Sequence, residues 1–312
     1  MRFSIYQDSL LGARATNQDR MGYCYTRDSL LMLVADGMGG HLRGEVAAHL
    51  ALQAAAASFQ SEAQPLLADP AAFLDGALRR GHREILRYQQ IHGLPEAPRT
   101  TVVACVVQRG CAWWAHAGDS RLYWVRGGRV LARTRDHSKV QQMIDLGQID
   151  PADADTHPER NKVLNCLGSP FEPSIDIGTA GELAPGDTLL LCSDGVWSAL
   201  AEPTLLEHLS AESVLIGVPR LVAHAVATAG SMADNTTALA MSWEGESVPL
   251  VSSSQVPDGA MTTTIAVGQV EDPAADDPMS EDEIERTIRE IQEAIARSDG
   301  GPGRGGAAGR RS

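Results

Sequence analysis

The apolar run Leu30-Leu31-Met32-Leu33-Val34-Ala35 ends in Asp36-Gly37, and the run Thr188-Leu189-Leu190-Leu191-Cys192-Ser193 ends in Asp194-Gly195. An aspartate where such a run stops reads as a carboxylate delivered to the rim of a sheet by a buried strand. Two of them from two strands can meet at one place, and hard divalent cations such as Mg2+ or Mn2+ take that kind of oxygen cluster. Asp-Gly is also a common turn dipeptide, so neither stretch alone specifies a metal. Two more aspartates share the setting. Asp119 follows Cys111-Ala112-Trp113-Trp114-Ala115-His116-Ala117 in Gly118-Asp119-Ser120-Arg121, and Asp234 stands in Ala233-Asp234-Asn235-Thr236-Thr237. Each is equally explained as a turn or cap residue. Gathered without a cation, the four carboxylates would repel and take up protons, and a metal removes that cost. Gly12-Ala13-Arg14-Ala15-Thr16-Asn17-Gln18-Asp19-Arg20 is a polar loop whose Arg14 could fork onto two phosphate oxygens. By itself Arg14 is a solvated surface charge.

The elements that must position these residues are strands in two runs with helices inserted. Helices are expected at 45–59, at 69–91 with Pro70 in the first turn and Gly93 near the end, at 138–146 and at 214–229. Strands are expected at 100–107, 111–117, 122–125, 129–132 after the Gly127-Gly128 turn, 175–178, 188–192 and 236–242. The polar 150–162 stretch reads as a surface flap. This order favours an α+β layered sandwich over an alternating α/β sheet.

Residues 1–244 read as one globular unit, and the composition changes after Glu244. The 245–279 stretch is rich in Ser, Thr, Pro and Asp, with little periodicity, and is expected to be a disordered linker. Ser280-Glu281-Asp282-Glu283 is a capping box. Ile284, Ile288, Ile291 and Ile295 then form one stripe of an amphipathic helix over 280–298. The 299–312 end is Gly/Arg-rich and expected to be flexible. The helix is too short to be stable alone and should dock on a partner, on itself or on the globular unit.

The chain has 312 residues, 43% apolar, with a formal net charge of −14. That charge argues against nucleic acid or an anionic membrane as a partner. The five cysteines form no C-x-x-C pair, which suits reduced thiols in a cytoplasmic protein. No N-terminal signal is visible. No apolar run is read as reaching the roughly 20 residues of a membrane span.

Taken in order, the residues resemble a family. Gly12-x-Arg14-x-x-Asn17-Gln18-Asp19, Val34-Ala35-Asp36-Gly37-Met38-Gly39-Gly40-His41-x-x-Gly44-Glu45, Thr100-Thr101, Gly118-Asp119-Ser120-Arg121, Asp136-His137-Ser138, Leu167-Gly168, Cys192-Ser193-Asp194-Gly195 and Asp234-Asn235-x-Thr237 are similar to the successive motifs of the metal-dependent protein phosphatases, the PPM or type 2C group, in its bacterial form. The resemblance implies a four-layer α-β-β-α sandwich, with two antiparallel sheets flanked by helix pairs. It implies metal-dependent hydrolysis of phosphoserine and phosphothreonine in proteins, opposing a bacterial Ser/Thr kinase. Asp36 would bridge two Mn2+ or Mg2+ ions and the Gly37 carbonyl would ligate one of them. Asp194 and Asp234 would hold the other ion, and Asp119, with Asp194, a third and weaker one. Arg14 would bind the substrate phosphate, and Asn17 and Asp19 would sit near the metals through water. His41 is the candidate general acid for the leaving oxygen. His137 is read as structural, capping the helix that starts at Ser138. Thr262 to Thr264 are candidate sites for phosphorylation by the opposing kinase.

The pattern departs from the family at Arg99, where glycine is usual before Thr100-Thr101, and around Asn165, where an arginine is usual. No Cys is followed six residues later by Arg and there is no Gly-Lys dipeptide, which excludes cysteine-phosphate and Walker-type chemistry. Asp153-Ala154-Asp155-Thr156 resembles an aspartyl-phosphate motif but lies in the flap, not at a strand end. The alternative from another class is a pseudophosphatase, a phospho-binding regulatory module with an interacting C-terminal tail, whose signature would be lost aspartates.

Overall fold

A strand buried on both faces carries apolar side chains at every position, and the third strand of this chain shows why. Leu31, Leu33 and Ala35 face a core shared with helices, while Leu30, Met32 and Val34 face a core shared with a second sheet. In the computed structural model, which describes residues 1–38, 43–210, 213–246 and 262–263, the elements run β1 (Arg2–Leu10), β2 (Arg20–Tyr25), β3 (Ser29–Ala35), β4 (Gly37–Met38), α1 (Gly44–Glu62), α2 (Pro70–Ile91), β5 (Arg99–Thr100), β6 (Val102–Gln108), β7 (Cys111–Ala117), β8 (Arg121–Arg126), β9 (Arg129–Arg133), α3 (Lys139–Asp145), β10 (Asp176–Glu182), β11 (Thr188–Cys192), α4 (Asp194–Trp197), α5 (Glu202–Ser210), α6 (Val214–Ala229), β12 (Thr236–Gly245) and β13 (Thr262–Thr263). A 3-10 helix, Pro151–Thr156, lies in the flap.

The strands form two antiparallel sheets. One has five strands in the order β1-β12-β11-β8-β9, and the other has six in the order β10-β7-β6-β3-β2-β13. Three cores separate four layers. The first lies between α1, α2 and the six-stranded sheet, the second between the sheets, and the third between the five-stranded sheet and α4, α5 and α6. The expected α-β-β-α sandwich is therefore the fold. Leu189 and Leu191 of β11 point into the middle core while Leu190 and Cys192 point at the helices, the same alternation as in β3.

Most expected elements are present. α2 starts where its cap residue predicts: the Asp69 side chain accepts from the N–H groups of Ala71 and Ala72, both at 3.0 Å. The expected 100–107 strand is interrupted after Thr100, because the Thr101 N–H turns to the Asp36 carbonyl at 2.9 Å. β1, β2 and α5 are not apparent in the sequence pattern. β1 is a sheet edge with no buried residue, so its side chains show no clean alternation. Val214–Met232 is apolar enough over 19 residues to meet the composition of a membrane span, which corrects the expectation that no segment does. Its Val214, Val218, Leu221, Val222 and Ala225 are buried in the third core.

Met1–Ala266 forms one compact unit. The linker, the 280–298 helix and the 299–312 end lie outside the described residues, with one exception. Thr262 and Thr263 pair antiparallel with Tyr25 and Cys24 at the outer edge of β2, where a disordered linker is expected. β-Branched residues suit a strand, and β2 otherwise presents an unpaired edge.

Candidate metal centre

The ends of β3 and β11 and the turns before β8 and β12 converge at one rim of the sandwich. Asp36 follows β3, and its carbonyl accepts from the Thr101 N–H at 2.9 Å and from Thr100 Oγ1 at 2.8 Å. A Cβ on Gly37 would stand 2.3 Å from the Gly44 carbonyl oxygen, so the chain passes there only as glycine. Asp194 opens α4, and its side chain hydrogen-bonds that of Asp36. A Cβ on Gly195 would stand 2.2 Å from the Asn235 carbonyl oxygen, which keeps the Asp194 and Asp234 segments in contact.

Asp19 is more central than the sequence suggests. Its residue is 4% exposed, its Oδ2 accepts from Ser193 Oγ at 2.7 Å, and its Oδ1 is buried with no partner. Ser193 Oγ in turn accepts from the Thr237 N–H at 3.1 Å. Asn17 shapes the loop: its Oδ1 accepts from the Asp19 N–H at 3.0 Å and its Nδ2 donates to Ser9 Oγ at 2.8 Å. Asn235 ties the same loop to β12, accepting from the Gln18 N–H at 2.8 Å and donating to the Leu11 carbonyl at 2.9 Å.

Burial and mutual repulsion hold these carboxyls protonated far above the usual carboxylate range. Asp36 is raised by burial first, then by Asp19, Asp194, Asp119 and Asp234. Burial pushes Asp19 up to about 7 against hydrogen bonds from Thr237 and Ser193. Asp119 rises to about 8 through burial, then Asp194 and Asp136, and Asp194 to about 6 through burial, then Asp234. The donor set is all oxygen, and one buried carboxylate oxygen has no protein partner. Both properties fit a hard divalent cation, which would replace the missing protons and hydrogen bond.

Of the other expected site residues, Arg14 lies at the rim and donates to both oxygens of Asp234, Nε to Oδ1 at 2.7 Å and Nη2 to Oδ2 at 2.6 Å. The guanidinium expected at phosphate and the carboxylate expected at metal are thus paired with each other. The pair is accessible, with side-chain exposures of 60% and 35%. His41 lies outside the described residues.

His137 does not cap α3. The cap is Ser138, whose Oγ accepts from the Gln141 N–H at 3.2 Å. The His137 ring turns instead toward Gly118, whose N–H reaches Nδ1 at 3.3 Å. His116, His137 and Asp176 form a second cluster, with ligating atoms within 4.8 Å of one another. The Nδ1 of His137 also takes the Asn165 amide at 2.6 Å, so its proton sits on Nε2, toward Asp176 Oδ2 at 3.3 Å. In this structure the His137 side of the cluster is committed to hydrogen bonds with Gly118, Asn165 and Asp176.

Sequence reasoning did not single out Ser193 or Trp197. Ser193 is visible only as part of the strand-end motif. Trp197 follows Asp194 by three residues, one turn of helix, and its Nε1 donates to the Asp119 carbonyl at 3.0 Å. The Arg121 guanidinium covers the Trp197 ring at 3.6 Å and binds both Asp136 oxygens, at 2.9 and 2.7 Å. A cavity of about 500 Å3 opens between this stack and the flap, lined by Tyr123, Arg133, Val140, Arg160 and Glu202 among others.

Residues 7–228 match the family model described as Protein phosphatase 2C. The chain is 35% identical over 238 residues to the serine/threonine protein phosphatase PstP of Mycobacterium tuberculosis, an alignment that covers 76% of this chain. It spans less than half of that relative, 44% of its length. The crystal structure of the M. tuberculosis phosphatase PstP/Ppp superposes with a TM-score of 0.68 at 33% identity, covering 78% of this chain and 99% of that one. The catalytic domain of PstP in complex with two manganese ions superposes with a TM-score of 0.65 at 31% identity, covering 77% of this chain and 97% of that one.

Proposed function

The chain belongs to the protein phosphatase 2C family, and on that premise we propose that it is a Mn2+- or Mg2+-dependent phosphatase acting on phosphoserine and phosphothreonine in proteins. The observation that carries this reading is the buried carboxyl cluster of Asp19, Asp36, Asp119 and Asp194, with the Asp19 Oδ1 left without a partner. In this reading Asp36, the Gly37 carbonyl, Asp194 and Asp234 hold two ions, and Asp119 with Asp194 holds a third, weaker one. Two manganese ions in the PstP catalytic domain support it. Bound ions would neutralise charge on the phosphoryl group and lower the pKa of water, which makes a protein nucleophile unnecessary.

The chain's own residues position the reactants. Arg14 is exposed at the rim, where its two hydrogen bonds could pass from Asp234 to two phosphate oxygens. Release by Arg14 leaves the Asp234 carboxylate available to a cation. Ser193 and Asn17 hold Asp19, and Thr100 and Thr101 hold the Asp36 backbone, so the cluster is set before substrate arrives. His41 is the candidate donor of the proton that the serine or threonine oxygen needs on leaving. A Ser/Thr kinase as the opposing partner, a binding partner for the 280–298 helix and a cytoplasmic location complete the reading. The location is supported by five cysteines, four of them buried and none in a disulfide.

The test is hydrolysis of p-nitrophenyl phosphate and a phosphothreonine peptide, with and without Mn2+, by the full chain and by Asp194→Ala. Metal-dependent turnover lost in the variant is the expected result. A wild-type chain inactive with every divalent metal tried would overturn the reading in favour of a phospho-binding module.

A further inference from the structure

The Gly118-Asp119 turn is held by His137 on one side and by Trp197 on the other. The His137 N–H donates to the Gly118 carbonyl at 2.9 Å, and its Nδ1 accepts from the Gly118 N–H at 3.3 Å, so one residue grips both sides of the same glycine. Gly118 has a φ of +114°, a conformation that side chains rarely adopt, and a Cβ there would stand 2.5 Å from the Thr101 Cβ. A turn of this kind has no helix or strand ladder of its own to keep it in place. Its position depends on what grips it.

The grip works in only one tautomer. Asn165 sets it through two bonds to a single residue, with its Oδ1 accepting from the Ser174 N–H at 3.1 Å and its Nδ2 donating to the Ser174 carbonyl at 2.7 Å. Those bonds fix which end of the amide carries hydrogen, so its NH2 group faces His137 Nδ1 at 2.6 Å. A proton on Nδ1 would face two N–H donors at once. The Nδ1 lone pair is therefore bare and available to Gly118, with the ring proton on Nε2 beside Asp176. The His137 carbonyl also accepts from the Leu164 N–H at 2.8 Å. From the other side, Trp197 holds the Asp119 carbonyl at 3.0 Å.

We propose that His137, in the tautomer set by Asn165, is a positioning residue for Asp119, and that Asn165, His137 and Trp197 together hold its carboxylate where a divalent cation can use it. This rests on the metal reading given above. Residues that orient a ligand without touching the metal are typically worth about 10- to 100-fold in its affinity.

The experiment counts Mn2+ ions and measures each affinity by titration calorimetry on the full chain, in the wild type and in His137→Ala, Asn165→Ala and Trp197→Phe. The expected result is a loss of about 10-fold or more at the weakest site, with the tighter sites changed less than about 2-fold. His137→Asn, whose amide oxygen stands where Nδ1 stood and can still accept from Gly118, is expected to restore part of the loss. Trp197→Phe keeps an aromatic side chain at this position and removes the N–H donor, so it decides the matter if His137→Ala does not fold. Folded variants with an unaltered weakest site overturn the inference and leave the metal reading standing. A wild-type chain that binds no Mn2+ overturns both.

Discussion

Removing the metal should make the stability of this protein fall as pH rises through the neutral range. Asp119 is 3% exposed, and burial with Asp194 and Asp136 nearby moves its carboxyl from 3.8 to about 8 in the metal-free fold. A carboxyl whose pKa is raised by folding prefers its proton in the folded state. Its stabilising contribution is complete below the unfolded value and is lost as pH climbs from about 4 to about 8. At 1.36 kcal/mol per unit, Asp119 alone would withdraw on the order of 5 kcal/mol by pH 8. Asp19 and Asp194, raised to about 7 and about 6, act in the same direction. For a domain of this size about 5 kcal/mol corresponds to roughly 10–20 °C in Tm. The assay is thermal unfolding of the full chain from pH 5 to pH 8, in EDTA and in excess Mn2+. Tm in EDTA should drop by roughly 10 °C or more across that range, and Mn2+ should raise Tm far more at pH 8 than at pH 5. A Tm in EDTA that is flat or rises with pH, or a Mn2+ effect equal at both ends, would refute the claim that these carboxyls are gathered and buried as described.

Two further outcomes follow from single contacts. Arg14→Ala should raise the KM for a phosphothreonine peptide by about 10-fold or more, because two charge-assisted hydrogen bonds to phosphate are lost. Mn2+ stoichiometry by calorimetry should be unchanged, and an unaltered KM would remove Arg14 from the substrate site. Asp187→Ala should cost about 3 kcal/mol of stability in urea unfolding, since this carboxylate, 1% exposed, accepts from Arg126, from the Trp124 indole and from the Ala184 N–H. A loss under about 1 kcal/mol would mean that those donors find other partners.

The aspartates at strand ends were legible because a strand buried on both faces is a continuous apolar run, and the residue that stops it is conspicuous. Asp36 and Asp194 are marked in this way, and α2 is marked by its Asp69 cap and Pro70. One assignment failed for a local reason. His137 stands next to a capping serine, so a cap was the natural reading, and only the loop that brings Gly118 beside its ring shows otherwise. The resemblance places Asp19 near the metals through water, and what the sequence does not show is its burial, which depends on β11 delivering Ser193 against it.

The sequence by itself determined the chemistry on offer. It set the oxygen-bearing side chains available to a cation, the arginine that can fork onto phosphate, and a layered α+β arrangement of strands in two runs with helices inserted. Those properties are carried by side-chain type and by periodicity along the chain, and both can be read locally. The tertiary structure alone decided which groups touch. Asp19 meets Ser193 across 174 positions, Arg14 meets Asp234 across 220, and Trp197 meets Asp119 across 78. Such meetings are fixed by the register of β12 against β1 and of β11 against β8 and β12, a matter of sheet geometry that no window of the sequence contains.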